Sequence, residues 1–314
     1  MKLHFVAAVV LALSTMAFAS DKITIALNWV PEPEFGGIYA AKEQGAFAKN
    51  HLDVDIKPGG AGAPTWQRVA GGQVEFGVSS ADEVIIARQN GADLVAIFSI
   101  YQTCPQGIMV HASRGLQTID DVFKSGTLAM EIGLPYTKYL DKKYGHAGVK
   151  RVPYTGGIAN FLADKSFAQQ CFVFSEPLAA RTQGVEPQTF LIAEAGYNPY
   201  TGVVVTSGKY LKEHPATVKA MVASLQQGWD DYLKDPRQAN GAMGALNKSM
   251  DAKTFADAAE AQKALVEYSY QPNKRPLGGM ITERWQTLID QLVDLKIVKD
   301  PPKAAECFIP AAPN

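Results

Sequence analysis

From Asp21 onward the chain alternates short β-branched runs with longer amphipathic stretches. That alternation is the tightest constraint on the fold, because it is the pattern of βαβ units laid around parallel strands. Strands are expected at 22–29, 52–57, 74–78 and 94–100, with helices at 36–48, 64–70 and 81–89 between them. A second series follows, with strands at 107–111, 127–132, 150–154, 171–174 and 189–193. After a strand at 203–206 the chain turns helical, at 215–234, 237–247, 254–270 and 282–295. In the first of these helices Val218, Met221, Val222, Leu225, Trp229, Tyr232 and Leu233 recur at helical spacing, which marks a core stripe. A tail of that length needs a sheet to cover, and the second series is complete in itself, so the tail is expected to return to the first. The chain then passes between two α/β lobes twice, near 103–106 and 201–203. Two such passages make a hinge with a ligand cleft at the strand C-termini.

The expected organisation is a two-lobed α/β fold of the type II periplasmic binding kind, in which residues 20–104 and 205–314 form one lobe and 105–204 the other. Residues 1–19 form a separate segment. Basic Lys2, the apolar run from Phe5 to Leu13 and the small-residue site Ala17-Phe18-Ala19 have the order of a secretory signal, with cleavage expected after Ala19. A spanning helix needs about 20 apolar residues, and this run meets Ser14 and Thr15 first. A soluble periplasmic protein is therefore expected. The formal charge of −1 offers nucleic acid no general attraction. Cys104, Cys171 and Cys307 match no metal knuckle or CxxC pair; one bridge or three buried thiols both fit the count.

Enzyme signatures are missing. The sequence has no GxSxG elbow, HExxH helix, phosphate-binding GxxxxGKS/T loop or dinucleotide GxGxxG after a strand. No cofactor, metal site or catalytic residue is expected. What gathers at strand ends is aromatic and carboxylate chemistry: Asn28-Trp29, Tyr101, Tyr154 and Phe174-Ser175-Glu176-Pro177. Flat heteroaromatic ligands suit such walls, since offset stacking adds about 0.5–1.5 kcal/mol per ring pair. Glu176 precedes Pro177 at a helix start, so it either caps that helix or accepts hydrogen bonds from a ligand. Glu131 and Asp82 hold similar strand-end positions. Apart from Lys57, no Lys or Arg stands at an expected strand C-terminus, which disfavours a strongly anionic ligand.

Several segments carry a family resemblance: ITIALNWVPEPEFGGIYAAKEQGAF at 23–47, HLDVDI at 51–56, VAGGQVEFGVSSADEVIIAR at 69–88, FVFSEPLAA at 172–180, GYNPYTGVVVTSGKYLKEHP at 196–215 and DYLKDP at 231–236. The chain resembles the periplasmic solute-binding proteins of ABC importers, in the superfamily for nitrate, sulfonates, taurine and thiamine pyrimidine precursors. The resemblance implies a monomer that closes on a small molecule and docks on an inner-membrane permease. The Asn-Trp pair and the Ser-Glu-Pro motif look most like the branch that binds the aminopyrimidine precursor of thiamine. Carried over, Trp29 would stack on the ring, Asn28 would bond to its edge and Glu176 would accept from an amino group. At 34–35 Glu-Phe stands where that branch more often has Asn-His, so riboflavin, another aromatic metabolite, or an anion such as a sulfonate, taurine or nitrate stay as alternatives. An enzyme-like relative makes the pyrimidine with pyridoxal phosphate, a Lys, a His and a cysteine cluster. Here Ser79 stands at the Lys position, Glu83 at the His position, and there is no cluster. The ligand is thus expected against Asn28, Trp29, Phe35, Tyr39, Ser79, Asp82, Tyr101, Glu131, Tyr154 and Glu176.

Overall fold

The structure, a computed structural model, describes residues 21–60, 62–145, 147–266 and 277–310. The expected signal segment, the end of the helix expected at 254–270, Ala61 and His146 lie outside the described residues. Ten strands form two five-stranded sheets. They are β1 (Asp21–Ala26), β2 (Leu52–Lys57), β3 (Phe76–Ser80), β4 (Leu94–Ser99), β5 (Gln106–His111), β6 (Thr127–Met130), β7 (Lys150–Pro153), β8 (Phe167–Phe172), β9 (Pro187–Leu191) and β10 (Thr201–Ser207). Their order is β2-β1-β3-β10-β4 in one sheet and β7-β6-β8-β5-β9 in the other.

The sheets are mixed, where parallel strands alone were expected. Each parallel core of three strands carries one antiparallel strand: β10 between β3 and β4, and β5 between β8 and β9. These are the strands that follow each passage between the sheets, β4 to β5 and β9 to β10. β10 is already paired in the first sheet from Thr201, so the return passage lies before the expected 201–203. β8 also begins earlier than the strand expected at 171–174. It buries Gln169 and Gln170, and two amides in a row hide a strand from hydropathy.

Six helices matter for the site: α1 (Gly36–Glu43), α2 (Ala81–Gln89), α3 (Glu176–Thr182), α4 (Pro215–Lys234), α5 (Ala252–Ala261) and α6 (Thr282–Asp294). The helical tail returns to the first sheet's helices: α4 packs on α1, and α6 on α2. The α4 stripe is buried except for Val222, which is partly covered. α1 can lie this close because Gly36 and Gly37 present bare backbone. A Cβ at Gly36 would stand 2.1 Å from the Tyr232 ring, and one at Gly37 2.3 Å from the Trp229 ring. The edge strand β4 is buried at every position, and Phe308 bridges to Ala96 along its free side. Covering an edge in this way removes a template for aggregation. Cys104, Cys171 and Cys307 are all buried and unpaired, so the alternative of a bridge does not hold. Among the described residues no helix is long and apolar enough to cross a membrane.

Candidate functional site

β1 ends at Ala26, three residues before the expected limit, so Asn28 and Trp29 stand in the loop beyond it. That loop runs into Pro31-Glu32-Pro33-Glu34-Phe35, whose last three residues form a short 3₁₀ turn. Each proline fixes φ and offers no N–H of its own, and its carbonyl accepts from donors elsewhere, the Gly36 N–H in the case of Pro33. Two buried amides from the helical tail supply others. Asn247 Nδ2 donates to the Pro31 carbonyl at 3.1 Å, and Gln262 Nε2 donates to the Pro33 carbonyl at 2.8 Å. Gln262 Oε1 accepts from the Tyr101 hydroxyl at 2.7 Å. Glu32 and Glu34 are thus presented on a segment pinned at both prolines.

The second sheet supplies the opposite wall. β8 runs out at Phe172, and Ser175 precedes α3, which opens on Glu176-Pro177. Glu176 Oε2 accepts from the Phe172 N–H at 2.8 Å, and Oε1 accepts from the Tyr154 hydroxyl at 3.0 Å. Glu176 therefore holds its own loop in shape and keeps only its remaining lone pairs for other partners. The Tyr101 and Phe174 rings meet at 5.5 Å between centroids, and Phe172 and Phe174 at 5.7 Å. α5 touches both the Pro33–Phe35 turn and α3, which joins the two walls at one end.

Three carboxyls converge there. Burial pushes Glu32 up to about 7, and the charge of Glu176 adds to the rise, while the approach of the Trp29 indole and the Ser175 hydroxyl pulls it back. Glu34 is driven well above the usual carboxylate range by burial, then by Glu32 and Glu176. Glu176 is also raised, by burial first, against the hydrogen bonds that it accepts. Among the described residues no cationic side chain offsets Glu32 or Glu34. Glu34 is partly covered, and its carboxyl has no hydrogen-bond partner among the described residues. Among the described residues no group of His, Cys, Asp and Glu is arranged to hold a metal ion. The site can therefore neutralise positive charge and accept N–H donors between aromatic rings.

The structure brings together Trp29, Tyr101, Tyr154 and Glu176 of the expected residues, with Phe35 buried in the same apolar cluster as Tyr101. Of the others, Glu131 stands close enough to Glu176 for its charge to raise that carboxyl, and the rest lie elsewhere. Asn28 points into solvent. Tyr39 is buried in α1 with an unpartnered hydroxyl, and burial pushes it up to about 12. Ser79 donates to Glu83 at 2.7 Å within the first sheet's own end. Asp82 accepts from Tyr197 at 3.3 Å beside the passages between the sheets. Glu131 is exposed, accepting from Gln170 at 3.0 Å. Glu32 was not foreseen, and Glu34 was noticed only as a departure. The available signal was two acids alternating with two prolines directly after a strand, which reads locally as a polar turn.

The model of the NMT1/THI5-like family matches residues 32–239. The riboflavin-binding protein RibY of Chloroflexus aurantiacus is 23% identical over 240 residues, 70% of this chain and 64% of the relative, so less than two thirds of its length is spanned. The formylaminopyrimidine-binding protein of Halalkalibacterium halodurans is 22% identical over 301 residues, 92% of this chain and 90% of that one. A 4-amino-5-hydroxymethyl-2-methylpyrimidine phosphate synthase of Saccharomyces cerevisiae is 22% identical over 238 residues, 70% of either chain. Among solved structures, the periplasmic aliphatic sulphonate binding protein SsuA of Escherichia coli superposes with a TM-score of 0.70 at 14% identity, covering 93% of this chain and 94% of that one. That likeness shows the two-lobed periplasmic binding protein fold.

Proposed function

Because the chain belongs to the NMT1/THI5-like family, we propose that it is an exported solute-binding protein. It captures a small heteroaromatic metabolite bearing amino groups, of the thiamine pyrimidine precursor kind, and delivers it to an ABC permease. The observation that carries this reading is the cleft itself. Aromatic rings from both sheets, Tyr101 against Phe174, flank carboxyls that no cationic side chain among the described residues offsets. A sulfonate or nitrate entering beside them would find no cationic partner among the described residues, whereas amino groups would meet acceptors. Trp29, Glu32, Glu34, Tyr154 and Glu176 are the binding residues of this reading, and the lobe of the first sheet, which includes β10 from Thr201, closes against the lobe of the second. Cleavage after Ala19 releases the protein into the periplasm.

The protein acts without turnover. The synthases among the relatives offer the other reading, but Ser79 and Glu83, which stand where the family resemblance would put a Lys and a His, are hydrogen-bonded to each other. Mass spectrometry of ligand extracted from purified protein, followed by calorimetry with the compound found, tests the proposal. An aminopyrimidine or related heteroaromatic is expected. Recovery of a sulfonate, or chemical conversion of the bound compound, would overturn it.

A further inference from the structure

Gln262 follows α5 and is fully buried, at a position that an apolar side chain could fill without the cost of desolvating an amide. What the amide adds is therefore found in the two groups that it joins. The Pro33 carbonyl can only accept, so Nε2 must face it, and Oε1 is left to the Tyr101 hydroxyl, which must donate. Both ends of the side chain are fixed in sense as well as in place. Pro33 opens the turn that carries Glu34 and directly follows Glu32. Tyr101 belongs to the hinge. It lies on the β4–β5 passage, its N–H donates to the Thr201 carbonyl at the start of β10 at 3.3 Å, and its ring meets Phe174 of the opposite wall. The backbone just beyond Gln262 grips the same passage, since the Leu265 carbonyl accepts from the Gln102 N–H at 2.7 Å and from the Thr103 N–H at 3.1 Å. Asn247, the other amide on this segment, differs. Its Oδ1 accepts from the Ser249 N–H at 3.0 Å and the Ser249 hydroxyl at 2.6 Å, within its own loop, and among the described residues it has no bond to either passage.

Resting on the solute-binding reading above, we propose that Gln262 is a positioning residue that couples the hinge to the ligand site. Through the Tyr101 hydroxyl and the Pro33 carbonyl it ties the acidic turn to the β4–β5 passage, so that a bend of the passage and a shift of the turn go together. Closure then brings Glu32 and Glu34 into register with the aromatic wall that Tyr101 and Phe174 form. Asn247 steadies the turn without that link, and so provides the control.

Hydrogen–deuterium exchange on the whole, ligand-free protein reads the coupling first. Tyr101→Phe removes one oxygen and is a milder change than Gln262→Met. It should speed exchange at the Phe35 and Gly36 N–H groups, which close the turn on Glu32 and Pro33, by about threefold or more, with the amides of β8 unchanged. Calorimetry with 4-amino-5-hydroxymethyl-2-methylpyrimidine reads the consequence for binding. Tyr101→Phe and Gln262→Met should each weaken it by about fivefold or more, and the double variant no further than Gln262→Met alone. With Asn247→Leu in place of Gln262→Met, the two losses should multiply. Losses that multiply for Tyr101 and Gln262, or exchange at Phe35 and Gly36 that ignores Tyr101→Phe, would overturn the coupling while leaving pyrimidine capture intact. Failure of the unaltered protein to bind the pyrimidine would overturn the solute reading instead, and exchange would still decide the coupling.

Discussion

Glu34 and Glu176 do different physical work, and substitution separates them. Glu176→Gln keeps one carbonyl oxygen but turns the other into a donor facing the Phe172 N–H or the Tyr154 hydroxyl. Losing such a bond should cost about 1–3 kcal/mol of stability as well as affinity. Glu34→Gln replaces a carboxyl that has no hydrogen-bond partner among the described residues, so affinity should fall about tenfold while melting temperature holds or rises. Melting curves and calorimetry on the two variants check this; parallel losses of stability would refute the distinction. Trp29→Ala should weaken binding by about tenfold through lost stacking and burial. The protons add a pH prediction. Glu32 is held at about 7 against an ordinary 4.5, so the folded chain keeps a proton that the unfolded chain releases. Its contribution is full below about pH 4.5 and is lost as pH rises through about 7. The empty protein should melt at a lower temperature at neutral pH than at mildly acidic pH, which melting curves across that range check. Trp29, Tyr154 and Glu176 were legible because strand ends and a Glu-Pro helix start are local patterns. Glu32 and Glu34 were not, because their meaning comes from Glu176, a residue brought near only by the closing of two sheets.

Helices were read more accurately than strands, for reasons visible in the residues. α2 and α4 have the bounds that their apolar spacing implies, since a 3.6-residue stripe is a long-range signal along one element. β2 alternates buried Leu52, Val54 and Ile56 with exposed neighbours and was equally plain. β8 was displaced because Gln170 is buried as an acceptor for the Tyr136 hydroxyl and the Glu131 N–H, a network that hydropathy does not register. Strand direction was also beyond reach, because the antiparallel setting of β5 and β10 follows from the passages between sheets rather than from their residues. One feature of α1 looked weak for a helix, its opening Gly-Gly pair, and packing explains it. Gly37 lies against Trp229, and Gly228 on α4 faces the Gly37 carbonyl, 2.2 Å from where its own Cβ would be. Gly37→Ala should therefore destabilise by about 2 kcal/mol or more, despite alanine's better helix propensity, because neither rigid partner can yield. Urea unfolding measures it; a variant as stable as the parent would show that α1 and α4 can separate at little cost.

At the scale of the whole molecule, one side chain of the helical tail bonds to both passages between the sheets. Arg284 on α6 donates from Nη1 to the Gln102 carbonyl at 2.5 Å, on the β4–β5 passage. On the β9–β10 passage it donates to the carbonyl of Asn198 at 2.8 Å, to Asn198 Oδ1 at 2.9 Å and to the Pro199 carbonyl at 2.8 Å. Its guanidinium also lies 3.9 Å from the centre of the Tyr200 ring. Asn198 Oδ1 in turn accepts from the Cys104 N–H at 2.9 Å, which ties the passages to each other directly. Closure of such a fold bends both passages together, so a group bonded to carbonyls on both sets how far they move apart. Lysine keeps the charge but not the planar fork of donors. Arg284→Lys should lower stability by about 2 kcal/mol, since two or more charged hydrogen bonds are lost at a partly exposed position. It should also enlarge the radius of gyration of the empty protein in small-angle scattering, and weaken ligand binding in proportion to the closed fraction lost. An unchanged radius with lowered stability would make Arg284 a local brace for α6 and move control of closure to the Asn198–Cys104 bond, which Asn198→Ala would then expose.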